Sequence, residues 1–491
     1  MRIKVRKGFE LMNLSWRNFP FAFIAIPLII LALVIPHSIA GLAVSLVLAI
    51  YAFLSPKNGL MILLLYFPTR PLLIEINPSL KLAGDLIILA AFAQVVWQQI
   101  RNKNWQGIFK FHIFEWAFIL FCAVGAVSAL ITGVSIVAIV FQLRAFLITF
   151  IVYYIVKRLD ITKEDVMKFL WTTFFMALVL CIQGIIEKLS IRTLLMPEDW
   201  VARALSHNNR VRIYGWIDNP NVLAIYLSLA FMLTIYLKGF VKGKMNILLN
   251  IGLLFMLGVT TLTYSRGTWI GFIIALVLYT ILTKKWKLAR NVVLGMVAAI
   301  ILINLPVTAG ANYFKDIGVG QNRPTGSDDG MSDEERRIKE TFELSTVELS
   351  KSSGRLFIVN KGFEVFKDHP IIGTGFATYG DSAAKSYSSP IYEDYGIQFD
   401  IYSDNQYIQI IAQTGAVGVL LFAVFLVGML VFLWKKRHET NLAVPVLAVL
   451  AAVYVCGLLY NIWEDKTYTT YFFMLLAGVS QTLNLKRTEY R

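Results

Sequence analysis

Apolar runs of 17 to 24 residues, separated by polar connections, recur from one end of the chain to the other. An α-helix rises 1.5 Å per residue, so about 20 such residues cross the ~30 Å hydrocarbon core of a bilayer. The pattern predicts spans at 19–36, 38–55, 59–75, 80–98, 112–132, 135–156, 166–187, 221–238, 245–263, 267–283, 291–308, 411–434, 441–460 and 467–484. The third is the weakest, because Pro68 and Pro71 interrupt it. The expected fold is an all-α integral membrane protein of about 14 transmembrane helices with a large extracytoplasmic loop.

Basic residues orient these spans, since short cytoplasmic connections carry an excess of Lys and Arg. Every second connection is basic: the N-terminus with Arg2, Lys4, Arg6 and Lys7, then Arg101, Lys103 and Lys110, then Lys157, Arg158 and Lys163. The series continues with Lys238, Lys242 and Lys244, with Lys284, Lys285, Lys287 and Arg290, with Lys435, Lys436 and Arg437, and ends at Lys486, Arg487 and Arg491. Both termini are therefore expected in the cytoplasm, in a multi-pass protein of the cytoplasmic (inner) membrane. The chain divides into N-terminal spans (1–187), a first outer loop (188–220), central spans (221–308), a large outer loop (309–410) and C-terminal spans (411–491).

Composition narrows the function classes. With 57% hydrophobic and 16% charged residues, most of the chain cannot be a water-solvated globule. The net charge of +15 sits mostly in the inner connections, where it meets anionic lipid. A nucleic-acid partner is not expected, for want of a basic, aromatic-interleaved face on a soluble domain. No small-residue cleavage site follows the first apolar run, so that run reads as a retained span rather than a secretory signal. Cys122, Cys181 and Cys456 all lie in predicted spans, leaving the outer loops without a disulfide framework.

The two outer loops differ in character. Loop 188–220 carries Lys188, Arg192, Arg203, His207, Arg210 and Arg212 against Glu198, Asp199 and Asp218. Positive charge here runs against the topological bias, and an anion such as phosphate would account for it, since Arg presents a planar fork to phosphate oxygens. In loop 309–410, the charged stretch 333–337 reads as an exposed helix or solvated run. Leu356, Val359, Phe363 and Phe366 fall at helical spacing, giving a stripe for the membrane surface or the protein body. Beyond them, Tyr379, Tyr387, Tyr392, Tyr395, Tyr402 and Tyr407 alternate with Glu393, Asp394, Asp400 and Asp404. Aromatic faces beside carboxylates suit sugars; structural tyrosines at a membrane interface are the alternative.

Four stretches then carry a resemblance. They are Gly215-Trp-Ile-Asp-Asn-Pro-Asn-Val-Leu-Ala-Ile-Tyr-Leu227, Ser265-Arg-Gly-Thr-Trp-Ile-Gly271, and Ser353-Gly-Arg355 leading to His369-Pro-Ile-Ile-Gly-Thr-Gly375. The fourth is Asp404-Asn-Gln-Tyr407 with Gln413-Thr-Gly-Ala-Val-Gly418. In order, spacing and outer-face location, over roughly residues 200–430, they resemble the bacterial O-antigen ligase and O-antigen polymerase superfamily. That resemblance implies a GT-C-like membrane glycosyltransferase acting on polyprenyl-diphosphate-linked glycans. The ligases typically place a His before Asn where this chain has Asp404-Asn405. The difference looks like the polymerase branch, which includes exopolysaccharide and teichuronic-acid polymerases. Gln413 stands where the family usually has Glu.

The implied reaction is polymerisation of lipid-linked repeat units at the outer face, with no cofactor. Its partners would be the polyprenyl-diphosphate-linked donor and acceptor, the bilayer, and flippase and chain-length regulator proteins. The alternatives are a ligase that moves finished glycan to lipid A core or another acceptor, and a transporter without chemistry.

Candidate residues follow. Arg144 lies roughly 13–15 Å into its span, where a charge costs about 2.5 kcal/mol or more. It faces a cavity, or it pairs with a carboxylate such as Asp85 and locks two helices. Arg266, between Ser265 and Gly267 at an outer boundary, is a diphosphate ligand or a snorkelling surface Arg. With Arg144 it would stabilise the departing diphosphate. Arg210 and Arg212 are weaker candidates for the same anion. Asn219 and Pro220, followed by Asn221, start a helix as N-cap and first residue, and a helix N-terminus attracts anions. Asp404 is the candidate proton acceptor for an attacking sugar hydroxyl, with helix capping as its alternative role. Asn405 would orient that neighbourhood, Tyr407 would contact the glycan, His369 would shape the turn, and Arg355 would anchor that turn segment or the glycan. Gly373-Thr-Gly375 lacks the third Gly and the preceding strand of a dinucleotide fingerprint. No His, Cys or carboxylate cluster has metal-ligand spacing, so a metal-independent reaction is expected.

Overall fold

The computed structural model describes residues 19–320 and 354–488, apart from the side chains of 207, 208 and 482–488. The charged stretch 333–337 therefore lies outside the described residues. Each apolar run falls on a helix: α1 (Pro20–Val34), α2 (Ser38–Leu54), α3 (Pro56–Ile76), α4 (Ala83–Arg101), α5 (Ile113–Ile131), α6 (Ile136–Arg158) and α7 (Lys163–Leu189). These are followed by α8 (Pro220–Lys238), α9 (Lys244–Leu262), α10 (Arg266–Thr283) and α11 (Trp286–Asp316). The chain continues through α12 (Arg355–Asp368), α13 (Gln406–Lys436), α14 (Ala443–Cys456) and α15 (Lys466–Thr488). The protein is an all-α integral membrane protein. Among the described residues ten helices are long and apolar enough to cross a bilayer; α1, α2 and α14 are shorter apolar helices, and α15 is not among the ten.

The interior is aromatic. Phe118 and Phe121 of α5, Phe146 and Phe150 of α6, and Phe422 and Phe425 of α13 are buried against one another, with Phe118 and Phe425 centred 4.4 Å apart. Such rings bury large apolar areas in fixed geometry, which suits a scaffold that must hold a site rigidly.

Pro68 and Pro71 do not break α3, contrary to the weakness read from its sequence. Proline supplies no N–H to the carbonyl four residues earlier, so the carbonyls of Leu64 and Phe67 are freed. Both are taken by hydroxyls of α15: Tyr471 donates to the Leu64 oxygen at 2.7 Å and Thr467 to the Phe67 oxygen at 3.2 Å. Outside partners of this kind let proline sit within a membrane helix. A Tyr471→Phe protein should lose about 1–3 kcal/mol, the cost of an unpaired buried carbonyl. Its unfolding temperature in detergent measures that loss, and Pro68→Ala in the same chain should recover part of it by returning an N–H to Leu64.

The long segment between α12 and α13, expected on the outer face and called the outer segment below, is clamped onto the bundle by backbone. Gly375 (φ +95°) passes so close to α5 that an added Cβ would lie 2.0 Å from the Ala129 nitrogen. Its N–H donates to the Gln413 oxygen at 2.7 Å, and Thr132 Oγ1 donates to the Thr374 oxygen at 2.6 Å. Gly415 (φ +56°) kinks α13 at the same crossing. The Gly-Thr-Gly stretch is thus a packing device.

Helix α12 forms where the spacing predicts, but the body takes a different stripe. Ile358, Gly362 and Val365 are buried, while Leu356 and Phe363 remain exposed. Tyr379 and Tyr392 belong to the core of this outer layer. Tyr392 Oη accepts the Gly380 N–H at 3.1 Å. For these two, the structural role holds rather than sugar contact.

Candidate functional site

A cavity of about 420 Å³ opens where the C-terminal end of α3 meets the N-terminal ends of α6, α8 and α15. By the alternation of the basic connections this is the expected outer end. Phe67, Arg70 and Pro71 form one wall and Phe141, Arg144 and Ala145 another. The start of α8 adds Asn219, Asn221 and Val222, the stretch before α15 adds Tyr460 to Asp465, and the outer segment adds Ser382, Tyr402 and Asp404. Four of the residues singled out from sequence (Arg144, Asn219, Asn221 and Asp404) meet here.

The cavity's cations are Arg70, Lys81, Arg144 and Lys466. Two of them share one carboxylate. Arg144 Nε donates to Asp85, and Lys466 Nζ lies 3.0 Å from the other Asp85 oxygen. The pairing with Asp85 read as the alternative for Arg144 is therefore present, and Arg144 still forms part of the wall. A single negative charge facing two positive ones leaves the group net positive. Arg70 and Lys81 make no ion pair among the described residues, so the α3–α6 side of the cavity attracts anions. The sequence reading passed over both. The signal for Arg70 was a charge inside an apolar run, masked by the prolines on either side.

Asp404 sits opposite, with φ +46° and its side chain about half exposed. Its alternative role as helix cap falls to its neighbour: Asn405 Oδ1 accepts the N–H groups of Tyr407 and Ile408, both at 3.1 Å. Asn405 therefore caps α13, and the Asp404 carboxylate is left to line the cavity. Burial pushes its pKa above the ordinary carboxylate range, and Arg355, Lys385 and Arg212 pull against that rise. Arg355 opens α12 with its Nη2 4.0 Å from Asp404 Oδ2.

The α8 terminus is built as its sequence predicts. Asn219 Oδ1 caps Asn221 and Val222, and Pro220 takes the first helical position. Asn221 Oδ1 accepts from Arg212 and from Ser265 Oγ (3.0 Å), and Ser265 Oγ lies 3.0 Å from Tyr460 Oη. Arg212 also donates to the Thr263 oxygen at 2.8 Å. It supports the wall from behind. Arg266 is exposed at the first turn of α10, beside this network and outside the cavity wall. Gly267 does not leave space for a ligand, because Leu459 and Tyr460 fill it: an added Cβ would lie 2.4 Å from Leu459. Arg210 donates to the Leu205 oxygen, exposed His369 closes the end of α12, and Tyr407 donates to the Tyr454 oxygen at 2.7 Å. These three lie off the cavity wall.

Beside Asp404 and Asp218, two carboxylates unannounced by the motifs, Glu464 and Asp465, line the cavity. Glu464 is buried, takes the Ser382 hydroxyl at 3.0 Å and is bonded by Gln409. Gln409 donates on to Gln413 (3.4 Å), whose amide donates to Asp381 at 2.6 Å and to the Tyr379 oxygen at 3.1 Å. With two carboxyls bridged by amides, a third at position 413 would crowd negative charge, so Gln suits this network.

Burial raises the pKa of Asp381 and Glu464, and that of Asp465 to about 6. The folded state thus holds protons more tightly than the unfolded chain, where carboxyls titrate near 4. Their contribution to stability is full below about pH 4 and lost as pH rises through about 6 and above. Thermal unfolding in detergent should show a lower midpoint at pH 8 than at pH 5, and Glu464→Gln should flatten that slope.

No curated protein matches the chain. Residues 251–423, which hold α10 with its Ser-Arg-Gly opening, α12, the outer segment and the first half of α13, match the family model described as O-antigen ligase, in agreement with the resemblance carried by the four sequence stretches.

Proposed function

We propose that this protein polymerises polyprenyl-diphosphate-linked oligosaccharide repeat units, with the cavity between α3, α6 and α8 as the site of glycosyl transfer. The observation that carries this reading is the lining of the cavity, with Arg70, Lys81, Arg144 and Lys466 in its wall and carboxylates among which Asp404 comes from the outer segment. A lipid-linked glycan needs that pairing. Its diphosphate requires cations within reach of the bilayer, while the acceptor hydroxyl must lose a proton on the sugar side.

The acceptor oxygen attacks the anomeric carbon and forms the new C–O bond. Its proton passes to the Asp404 carboxylate as the bond from the anomeric carbon to phosphate breaks, and the diphosphate leaves with that electron pair. The four wall cations meet the charge that develops on the leaving group, with Arg266 added from the rim. Fixed donors in a partly water-excluded cavity are worth more than the same donors in water. Asp85 holds Arg144 and Lys466 in place beforehand, so little reorganisation is needed at the moment of transfer. Arg355 and the partly exposed Tyr402 lie where the glycan would enter.

Purified protein in detergent, given lipid-linked repeat unit and no nucleotide, should yield a ladder of products on a gel. Transfer seen only after lipid A core or another acceptor is added would identify a ligase. No transfer to any acceptor would remove the enzyme reading.

A further inference from the structure

A second cavity, of about 830 Å³, lies between α8, α9, α10 and α11 at the other end of the bundle, where the basic connections are. We propose that it is a binding site for one anionic phospholipid, whose phosphate headgroup sits among Lys238, Lys285 and Arg437 and whose acyl chain runs inward between the helices.

Charge is the first argument. The residues that line the cavity include three cations and three side-chain amides (Asn250, Asn291 and Asn441), and no carboxylate. None of the three cations forms an ion pair among the described residues. Lys238 is bonded to Asn250, Lys285 lies 3.4 Å from Tyr279 Oη, and Arg437 stacks 3.9 Å from the Trp434 ring. Three positive charges at one mouth call for a polyanionic or phosphate-bearing occupant.

Shape is the second. The cavity extends inward along Phe231, Leu253, Leu254, Leu257, Val292 and Gly295. Leu257 lies 13 residues into α9, hence roughly 20 Å from the basic end at 1.5 Å per residue. That depth and its apolar wall suit a hydrocarbon chain, whereas a soluble phosphate compound would leave the wall uncovered. The volume falls within the roughly 300–1,000 Å³ of small-molecule sites. Helix α11, one wall of this cavity, is largely exposed along its apolar stretch. The site shares no residue with the transfer cavity and stands or falls independently of it.

The test uses the full chain purified in detergent, with native mass spectrometry after mixing with phosphatidylglycerol or phosphatidylcholine of identical acyl chains. At least about tenfold stronger retention of phosphatidylglycerol is expected. Replacing Lys238, Lys285 and Arg437 together by Gln should abolish that preference. Arg101→Gln, Lys103→Gln and Lys110→Gln, on another basic connection, should preserve it. Should the triple cavity variant fail to fold, Gly295→Leu serves instead: a Cβ there meets only Leu257 Cδ1, at 3.5 Å, and the longer side chain should block retention. Equal retention of the two lipids, equal loss in the control variant, undiminished retention in Gly295→Leu, or displacement by inorganic phosphate would each overturn the proposal.

Discussion

An Asp404→Asn protein is expected to bind lipid-linked repeat unit as tightly as the unaltered protein and to transfer it about 10²–10⁴-fold more slowly, the usual contribution of a positioned proton acceptor. Asn keeps the shape and the positive-φ backbone, since Asn and Asp both tolerate that conformation, so folding should be unaffected. The pH dependence adds a second readout. Burial raises the Asp404 pKa and Arg355 opposes the rise. The acid limb of kcat/KM should therefore lie above the ordinary carboxylate range, and Arg355→Gln should move it to still higher pH. Activity falls as pH drops through that limb because only the ionised carboxylate accepts the proton. An unchanged rate in Asp404→Asn would turn attention to Glu464, one of three other carboxylates in the cavity wall, with Asp218 and Asp465.

Arg70→Gln is expected to weaken use of the lipid-linked substrate by about 10- to 100-fold, chiefly through KM. The estimate rests on about 1.5–3 kcal/mol for a hydrogen bond to a charged group and 1.4 kcal/mol per tenfold. Adding Lys81→Gln should deepen the loss, since neither side chain forms an ion pair among the described residues. Arg144→Gln should differ in kind. It removes a partner of Asp85 as well as a wall cation, so a drop in unfolding temperature should accompany the loss of activity. Steady-state rates against substrate concentration, with a melting curve for each variant, separate these outcomes.

How much of this was legible beforehand depended on whether the signal was local. Apolar periodicity reports a helix directly, and all fourteen runs lie on helices, although only ten helices have the length and hydropathy of a span by themselves. Asn219 and Pro220 are read from three adjacent residues, and their cap is formed. Arg144 was conspicuous because a charge at that depth demands an explanation, and both readings of it describe part of its surroundings.

The parts that escaped are those made by residues distant in sequence. Asp85 and Lys466 are 381 positions apart, and nothing in either neighbourhood announces the other. Glu464 and Asp465 lie in the connection between the predicted spans 441–460 and 467–484, and no motif marks them. Arg70 was overlooked because Pro68 and Pro71 argued for a broken helix, and only the Tyr471 and Thr467 hydroxyls, some 400 residues on, explain why it is whole. The cap at Asn405 rather than Asp404 is a one-residue matter. Asn and Asp cap equally well, so composition could not choose between them.

In the proposed reaction the diphosphate of a lipid-linked glycan occupies the cavity between α3, α6 and α8. The most direct test is photocrosslinking of purified protein with a polyprenyl diphosphate carrying a photoreactive group beside the phosphates, followed by peptide mapping. Adducts within 67–71, 141–145 and 217–225, suppressed by unlabelled polyprenyl diphosphate and weakened by Arg70→Gln, are the predicted result. Specific adducts confined to the basic end of α8 to α11, with none in those three segments, would contradict it.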